Sequence, residues 1–187
     1  MNAATLKRIN WFWPWQDEKE EAWLESMSEQ GWHLKSVQIL GQYTFQNGEP
    51  RSFAYRLDFQ IVKKSDLPGY LQVFQDAGWE YLGEISNWRY WRKEVEQGES
   101  LEIFTDVESR LRKYQRLLGF MGFMLFLLLM LGQNMFRRQV WSDPDNSVLI
   151  SAIYLCGTLA YAVLIPVYIV VVVKLWRRIQ ELKKKHL

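Results

Sequence analysis

Leu117–Phe136 reads LLGFMGFMLFLLLMLGQNMF and Val148–Val173 reads VLISAIYLCGTLAYAVLIPVYIVVVV, with no Asp, Glu, Lys, Arg or His in either. At a helical rise of about 1.5 Å per residue, the 20 residues of the first stretch cover the roughly 30 Å of a bilayer's hydrocarbon core. The 26 residues of the second are enough to cross with some tilt. Pro166 falls inside it and predicts a kink, which membrane helices tolerate. Two spans are therefore expected.

The rest of the chain is organised around those stretches. Residues 1–108 hold 11 Lys or Arg against 18 Asp or Glu, while residues 109–187 hold 12 against 3. An acidic front thus precedes a basic, apolar back, and the overall net charge of +2 conceals the split. Arg110, Arg112, Lys113 and Arg116 precede the first stretch, and Lys174, Arg177, Arg178 and Lys183–Lys185 follow the second. The intervening loop has only Arg137 and Arg138, offset by Asp143 and Asp145, so both termini are expected in the cytosol. Trp141 and Trp176 sit where interfacial aromatic belts belong, and Met1–Arg8 has no apolar run that would read as a signal peptide. A Thr105-x-x-Glu108 capping box predicts a helix that enters the membrane without a break. The expected organisation is a cytosolic domain at 1–95, a linker at 96–104 and a helix continuing into span 1 at 105–136. An extracytoplasmic loop at 137–147, span 2 at 148–178 and a basic cytosolic tail at 179–187 complete it.

The front domain matches itself at an offset of 47: Phe12 with Phe59, Leu24 with Leu71, Gly31 with Gly78, Trp32 with Trp79 and Tyr43 with Tyr90. In the first copy Asp17 and Glu20 read as a capping box, Trp23, Leu24 and Met27 as an apolar stripe, and Gly31 as the left-handed residue ending the helix. In the second, Ser65 or Asp66 caps, Pro68 sits in the first turn, Leu71 and Phe74 form the stripe and Gly78 ends it. Alternating residues predict a strand before each helix, Ile9–Trp15 and Phe53–Phe59, and two after each, near 33–40 and 42–46, then 80–85 and 88–93. The fold class is α+β: duplicated β-α-β-β units forming an antiparallel sheet with two helices on one face, followed by a two-helix transmembrane hairpin.

The string Trp11-Phe12-Trp13-Pro14-Trp15, the segment from Trp23-Leu24 to Gly31-Trp32-His33-Leu34, Ala77–Tyr81 and Asn87–Tyr90 together resemble the DUF2812 family of bacterial membrane-associated proteins over most of residues 7–108. The resemblance implies a companion of PadR-type transcriptional regulators and supplies no catalytic residues. The twice-repeated element order is also similar to the drug-sensing effector domain of the GyrI-like class, a likeness of topology and not of function.

Catalytic signatures are sparse. The one cysteine, Cys156, cannot form an internal disulfide or a zinc site, and His33 has no cysteine or second histidine in the front domain to share a metal, so neither cofactor nor metal is expected. No phosphate loop, nucleophile elbow or His-Glu-x-x-His motif occurs, and an acidic front does not suit nucleic acid. The acids Asp17, Glu18, Glu20 and Glu21 read as helix-dipole partners. Spans without an Asp, Glu, Lys, Arg or His argue against a transporter. Aromatic excess is what remains, with eight of the ten Trp in residues 1–91. It serves either as core or as a ligand cleft between the copies, lined by Trp11, Trp13, Tyr55 and Trp88 with Glu80 or Glu84 nearby to favour a cation. The expected function is a non-enzymatic, membrane-anchored sensory or interaction module with a protein partner. The alternative is an accessory subunit of a larger membrane complex, its helices packed through Gly119-x-x-Gly122 and Gly157-x-x-Ala160.

Overall fold

The computed structural model describes residues 4–95, 107–137 and 148–184. The chain forms two compact units, one ending at Tyr114 and one beginning at Gln115. In the first, β1 (Thr5–Ile9), α1 (Asp17–Glu29), β2 (Trp32–Gln38) and β3 (Gln42–Asn47) are followed by β4 (Phe53–Phe59), α2 (Leu67–Asp76), β5 (Glu80–Ile85) and β6 (Trp88–Glu94). The β-α-β-β order thus occurs twice, and each half makes an antiparallel three-stranded sheet in the same spatial order, β1-β3-β2 and β4-β6-β5.

The strands hydrogen-bond as two sheets where a single one was expected, and the strands at the seam explain why. β2 and β5 lie side by side as inner edges. Each is bulged, between Leu34 and Ser36 in β2 and between Tyr81 and Gly83 in β5, positions again 47 apart. A bulge leaves one residue unpaired and twists its strand, which keeps two edges from zipping together. At the other end of each unit the halves also agree. Gly31 and Gly78 close the helices at φ of 82° and 81°, a conformation that costs a side-chain-bearing residue energy and glycine little. The Trp79 amide donates to the Phe74 carbonyl at 3.0 Å, and Trp79 and Phe74 pack in one cluster. Trp32 packs against the cluster that contains Met27. A tight turn at Ser86-Asn87, both at positive φ, joins β5 to β6.

The core is built mainly on α1. Leu24 and Met27 meet Leu34, Tyr43 and Phe45 of the first half and Tyr55, Leu57 and Tyr90 of the second. By contrast α2 has no buried residue; Tyr70, Leu71 and Phe74 lean half-buried on Trp79 and Trp91.

Two expectations about helix entry are corrected. The alternating Ile9–Trp15 segment is strand only to Ile9, because Trp13, Pro14 and Trp15 lie in a turn, with the Gln16 amide bonded to the Trp13 carbonyl at 2.8 Å. Neither Asp17 nor Asp66 caps its helix through its side chain.

The long helices are α3 (Val107–Arg137) and α4 (Val148–Lys184), the latter running through Pro166 and beyond residue 178. Both are long and apolar enough to cross a membrane, over Arg110–Gly132 and Leu155–Lys184. In the second unit Gly132 lies so close to the Tyr161 ring that a Cβ would overlap it, a glycine used for close helix approach. The linker at 96–104, Thr105 of the capping box, and Trp141 in the loop lie outside the described residues.

Candidate functional site

Asp17, Glu20, Glu21 and Glu25 fall at i, i+3, i+4 and i+8, one face of α1. That face is turned inward, with Asp17, Glu20 and Glu21 all buried, and each carboxylate has dedicated donors. Asp17 accepts from Lys113 Nζ at 2.6 Å and from the Tyr114 hydroxyl at 2.8 Å, both on α3. Glu20 accepts from the hydroxyls of Tyr43 and Tyr90, each at 2.7 Å, one from each half. Glu21 accepts from the Leu57 amide at 2.8 Å, and Glu25 from the Tyr55 amide at 3.2 Å and from Arg56 at 2.7 Å.

The match between α1 and β4 is geometric. β4 is the outer edge of its sheet, and its outward amides recur every two residues, about 6.6 Å apart. Residues four apart on a helix are about 6.0 Å apart along its axis. Glu21 and Glu25 therefore land on Leu57 and Tyr55 in turn and satisfy an edge that would otherwise be open to foreign strands. Lys113 also donates to the Leu57 carbonyl at 3.2 Å, so β4, α1 and α3 meet at one residue.

Burial sets the electrostatics here. It pushes the Glu21 carboxyl up to about 8, with Lys113 the main opposing influence. It also raises Glu20, despite two tyrosine hydroxyls that favour the charged form. Burial and the adjacent Glu20 push Tyr43 and Tyr90 well above the ordinary phenol range, so both hydroxyls remain donors.

The bulged edges β2 and β5 meet at a seam. A groove of about 500 Å³ is bounded by His33, Lys35 and Asn47 on one side and Tyr81, Leu82 and Arg92 on the other. A smaller recess of about 100 Å³ shares Leu34 and Leu82 with it and reaches Tyr90, whose hydroxyl holds Glu20. The bulged residues Lys35 and Leu82 thus line the groove, and Tyr90, which lines the recess, donates its hydroxyl to Glu20 of α1.

The anticipated aromatic cleft is arranged differently. Tyr55 is buried in the core, Trp88 is half-buried against Phe59, and Trp11 and Trp13 are exposed on the loop before α1. The four do not converge. Glu80 does border the groove and Glu84 the recess, but Glu80 is bonded to Arg92 at 3.0 Å and Glu84 is paired with Arg89 at 2.8 Å, so neither offers a bare carboxylate to a cation. His33 has both ring nitrogens engaged, Nδ1 with Ser28 Oγ and Nε2 with the Glu49 carbonyl, each at 2.8 Å. Because a carbonyl only accepts, Nε2 carries the proton and Nδ1 accepts from Ser28. The acid face of α1 was visible in sequence as a charge cluster but not as a buried one. The i, i+3, i+4, i+8 spacing, shared with the apolar Leu24 and Met27, was the available signal.

The fold and this site define a class: an α+β domain of two β-α-β-β halves, joined to two helices of membrane-crossing length and held to the first of them by a buried ion pair. The chain belongs to the family described as protein of unknown function (DUF2812), whose profile matches residues 16–127. No curated protein and no solved structure matches it. The matched segment contains both Asp17 and Lys113, so the ion pair lies within one family unit.

Proposed function

We propose that this chain is a non-enzymatic sensory or interaction module, anchored by α3 and α4 as a two-span hairpin with both termini in the cytosol. The groove at the seam receives a partner or ligand, and α1 relays its occupancy to α3. A PadR-type regulator is the partner the family resemblance implies. The observation that supports this reading is the Asp17–Lys113 ion pair, which joins a helix of the domain core to a helix long enough to enter the membrane. The buried carboxylates are engaged by structural donors, which favours a binding role over a catalytic one.

The test is affinity purification of the tagged full-length protein in mild detergent from its native cells. A regulator should co-elute with the wild type and be lost from Leu82→Asp, which puts a charge in place of an apolar wall of the groove, while wild type and variant resist carbonate extraction equally. Equal recovery of every co-eluting protein with Leu82→Asp, or no co-elution with either, refutes the groove as a docking site.

A second reading, an accessory subunit of a larger membrane complex, is favoured by Gly119 and Gly122, which among the described residues have nothing within 4 Å of where a Cβ would stand. Their open face suits a neighbouring helix. Native electrophoresis resolving only a monomer would count against it.

A further inference from the structure

The loop between β1 and α1 is unusual for a protein surface. Trp11 and Trp13 are exposed, 57% and 37%, and Trp13 and Trp15 stack in parallel at 5.3 Å. Beside them, the Asn10 amide bonds to the Gly41 carbonyl at 2.9 Å, which sets the Ile39–Gly41 turn against the loop. Ile39 and Leu40 of that turn are about 70% exposed, Leu40 with φ of 63°, and Ile9 at the end of β1 is more exposed still. Lys7 and Arg8, also exposed, flank this apolar tip. Large apolar groups gathered on a soluble face, rimmed by cations, call for a covering surface.

The covering surface is identified by what the loop is attached to. Trp15 lies two residues before Asp17, and Asp17 holds Lys113 and Tyr114. Lys113 precedes Leu117, the first residue of the charge-free stretch, by four positions on the same helix, about 6 Å along its axis. Tryptophan and tyrosine favour the headgroup level of a bilayer, where an apolar ring and a polar edge are both satisfied, and Lys and Arg are drawn to anionic headgroups there. On the reading of α3 as a membrane span, which this inference requires, we propose that the tip formed by Ile9, Trp11, Trp13, Ile39 and Leu40 inserts into the headgroup layer of the membrane that α3 enters. It is a second, peripheral contact that presses the domain onto the lipid.

The test uses the full-length protein, Cys156→Ala, with Ile39→Cys carrying an environment-sensitive fluorophore so that all three tryptophans remain. It is reconstituted in phosphatidylglycerol-containing nanodiscs with lipids spin-labelled near the headgroup. The probe at position 39 should be quenched several-fold more than the same probe at Gln75→Cys, an exposed position on α2, and adding Trp11→Ser and Trp13→Ser should remove most of the difference. Equal quenching at both positions overturns the proposal, and so does a blue shift without lipid quenching, which would mean that protein covers the tip. Carbonate extraction of membranes from cells producing the same protein separates the two claims. Protein that resists extraction but shows no quenching sinks the docking tip alone, whereas extractable protein sinks the anchor reading.

Discussion

The two halves of the domain share an element order and even the positions of their bulges, yet they seat their helices by opposite means. α1 is set into the core by a carboxylate face, each acid matched to a donor on β3, β4, β6 or α3. The second half has Lys64, in the turn before α2, and Leu67, Pro68 and Gln72 on α2 where α1 has Asp17, Glu20, Glu21 and Glu25, and α2 buries nothing fully. One topology therefore supports a helix locked by a row of carboxylates and a helix resting on Trp79 and Trp91, its Tyr70 hydroxyl donating to Asp58 of β4 at 2.7 Å. The lock is on the side that meets α3, where orientation matters. Hydrogen bonds define direction in a way that apolar packing does not.

The largest effect that would break this comparison is loss of the ion pair. Asp17→Ala takes from the buried Lys113 its ion-pair partner at 2.6 Å, and removing one member of a buried ion pair typically costs about 3–5 kcal/mol. Denaturant unfolding of the detergent-solubilised full chain, followed by tryptophan fluorescence, should show that loss, while Lys64→Ala, the exposed counterpart, should cost less than about 0.5 kcal/mol. The pair Asp17→Asn with Lys113→Met should recover much of the stability. Losses that simply add would show that the two residues are not coupled.

The next effect is a pH dependence located on α1. Glu21 titrates near 8 when folded and near 4.5 when unfolded, because burial disfavours its charge. Between those values the folded domain holds a proton that the unfolded chain has lost. The contribution of Glu21 to stability is therefore fullest below about 4.5, falls as pH rises, and levels off above about 8. Glu21→Gln, which stays neutral, should flatten this slope by an amount on the order of a few kcal/mol across the window. An unchanged slope in the variant would place the proton elsewhere.

Why the strands and the long apolar helices were legible while the lock was not follows from the range of the interactions. Charge-free length, alternation in Phe53–Phe59 and glycine after a helix are local signals, and all three correspond to observed elements. Burial of Glu20 depends on Tyr43 and Tyr90, 23 and 70 residues away, and burial of Asp17 on Lys113, 96 residues away. No local rule distinguishes such acids from ordinary helix-start acids. The tryptophan loop misled for a related reason: alternation of large residues marks a strand only when a neighbour pairs with it, and Pro14 removes a backbone donor there. The aromatic set reads in sequence either as core or as a cleft, and the structure divides it, with Tyr55 in the core and Trp11 facing solvent.

Smaller differences between the halves should appear at their shared glycines. Both need a left-handed backbone, so Ala at either should cost about 1–2 kcal/mol. At Gly78 a Cβ would meet only the Lys93 side chain at 3.2 Å, which can swing aside. At Gly31 it would meet the Gly48 carbonyl oxygen at 2.7 Å, in backbone held by the Gly48 amide's bond to the Gly31 carbonyl. Gly31→Ala should therefore cost a further ~1–3 kcal/mol. Equal losses would mean that the β3–β4 turn yields freely.

The finest test asks whether Glu20 serves as an acid or simply as an acceptor. Its charge is disfavoured by burial, and what it supplies to Tyr43 and Tyr90 is an oxygen with two lone pairs. Glu20→Ala removes that oxygen and leaves two buried hydroxyls without it, at about 1–3 kcal/mol. Glu20→Gln keeps a carbonyl oxygen of the same reach, so its cost should stay under about 1 kcal/mol, close to that of Leu67→Ala on the half-buried face of α2. If Gln proves as damaging as Ala, the negative charge itself is what holds the two tyrosines. The hold on the two tyrosines would then be ionic, and at Glu20 the difference between α1 and α2 would be one of charge and not of hydrogen-bond geometry.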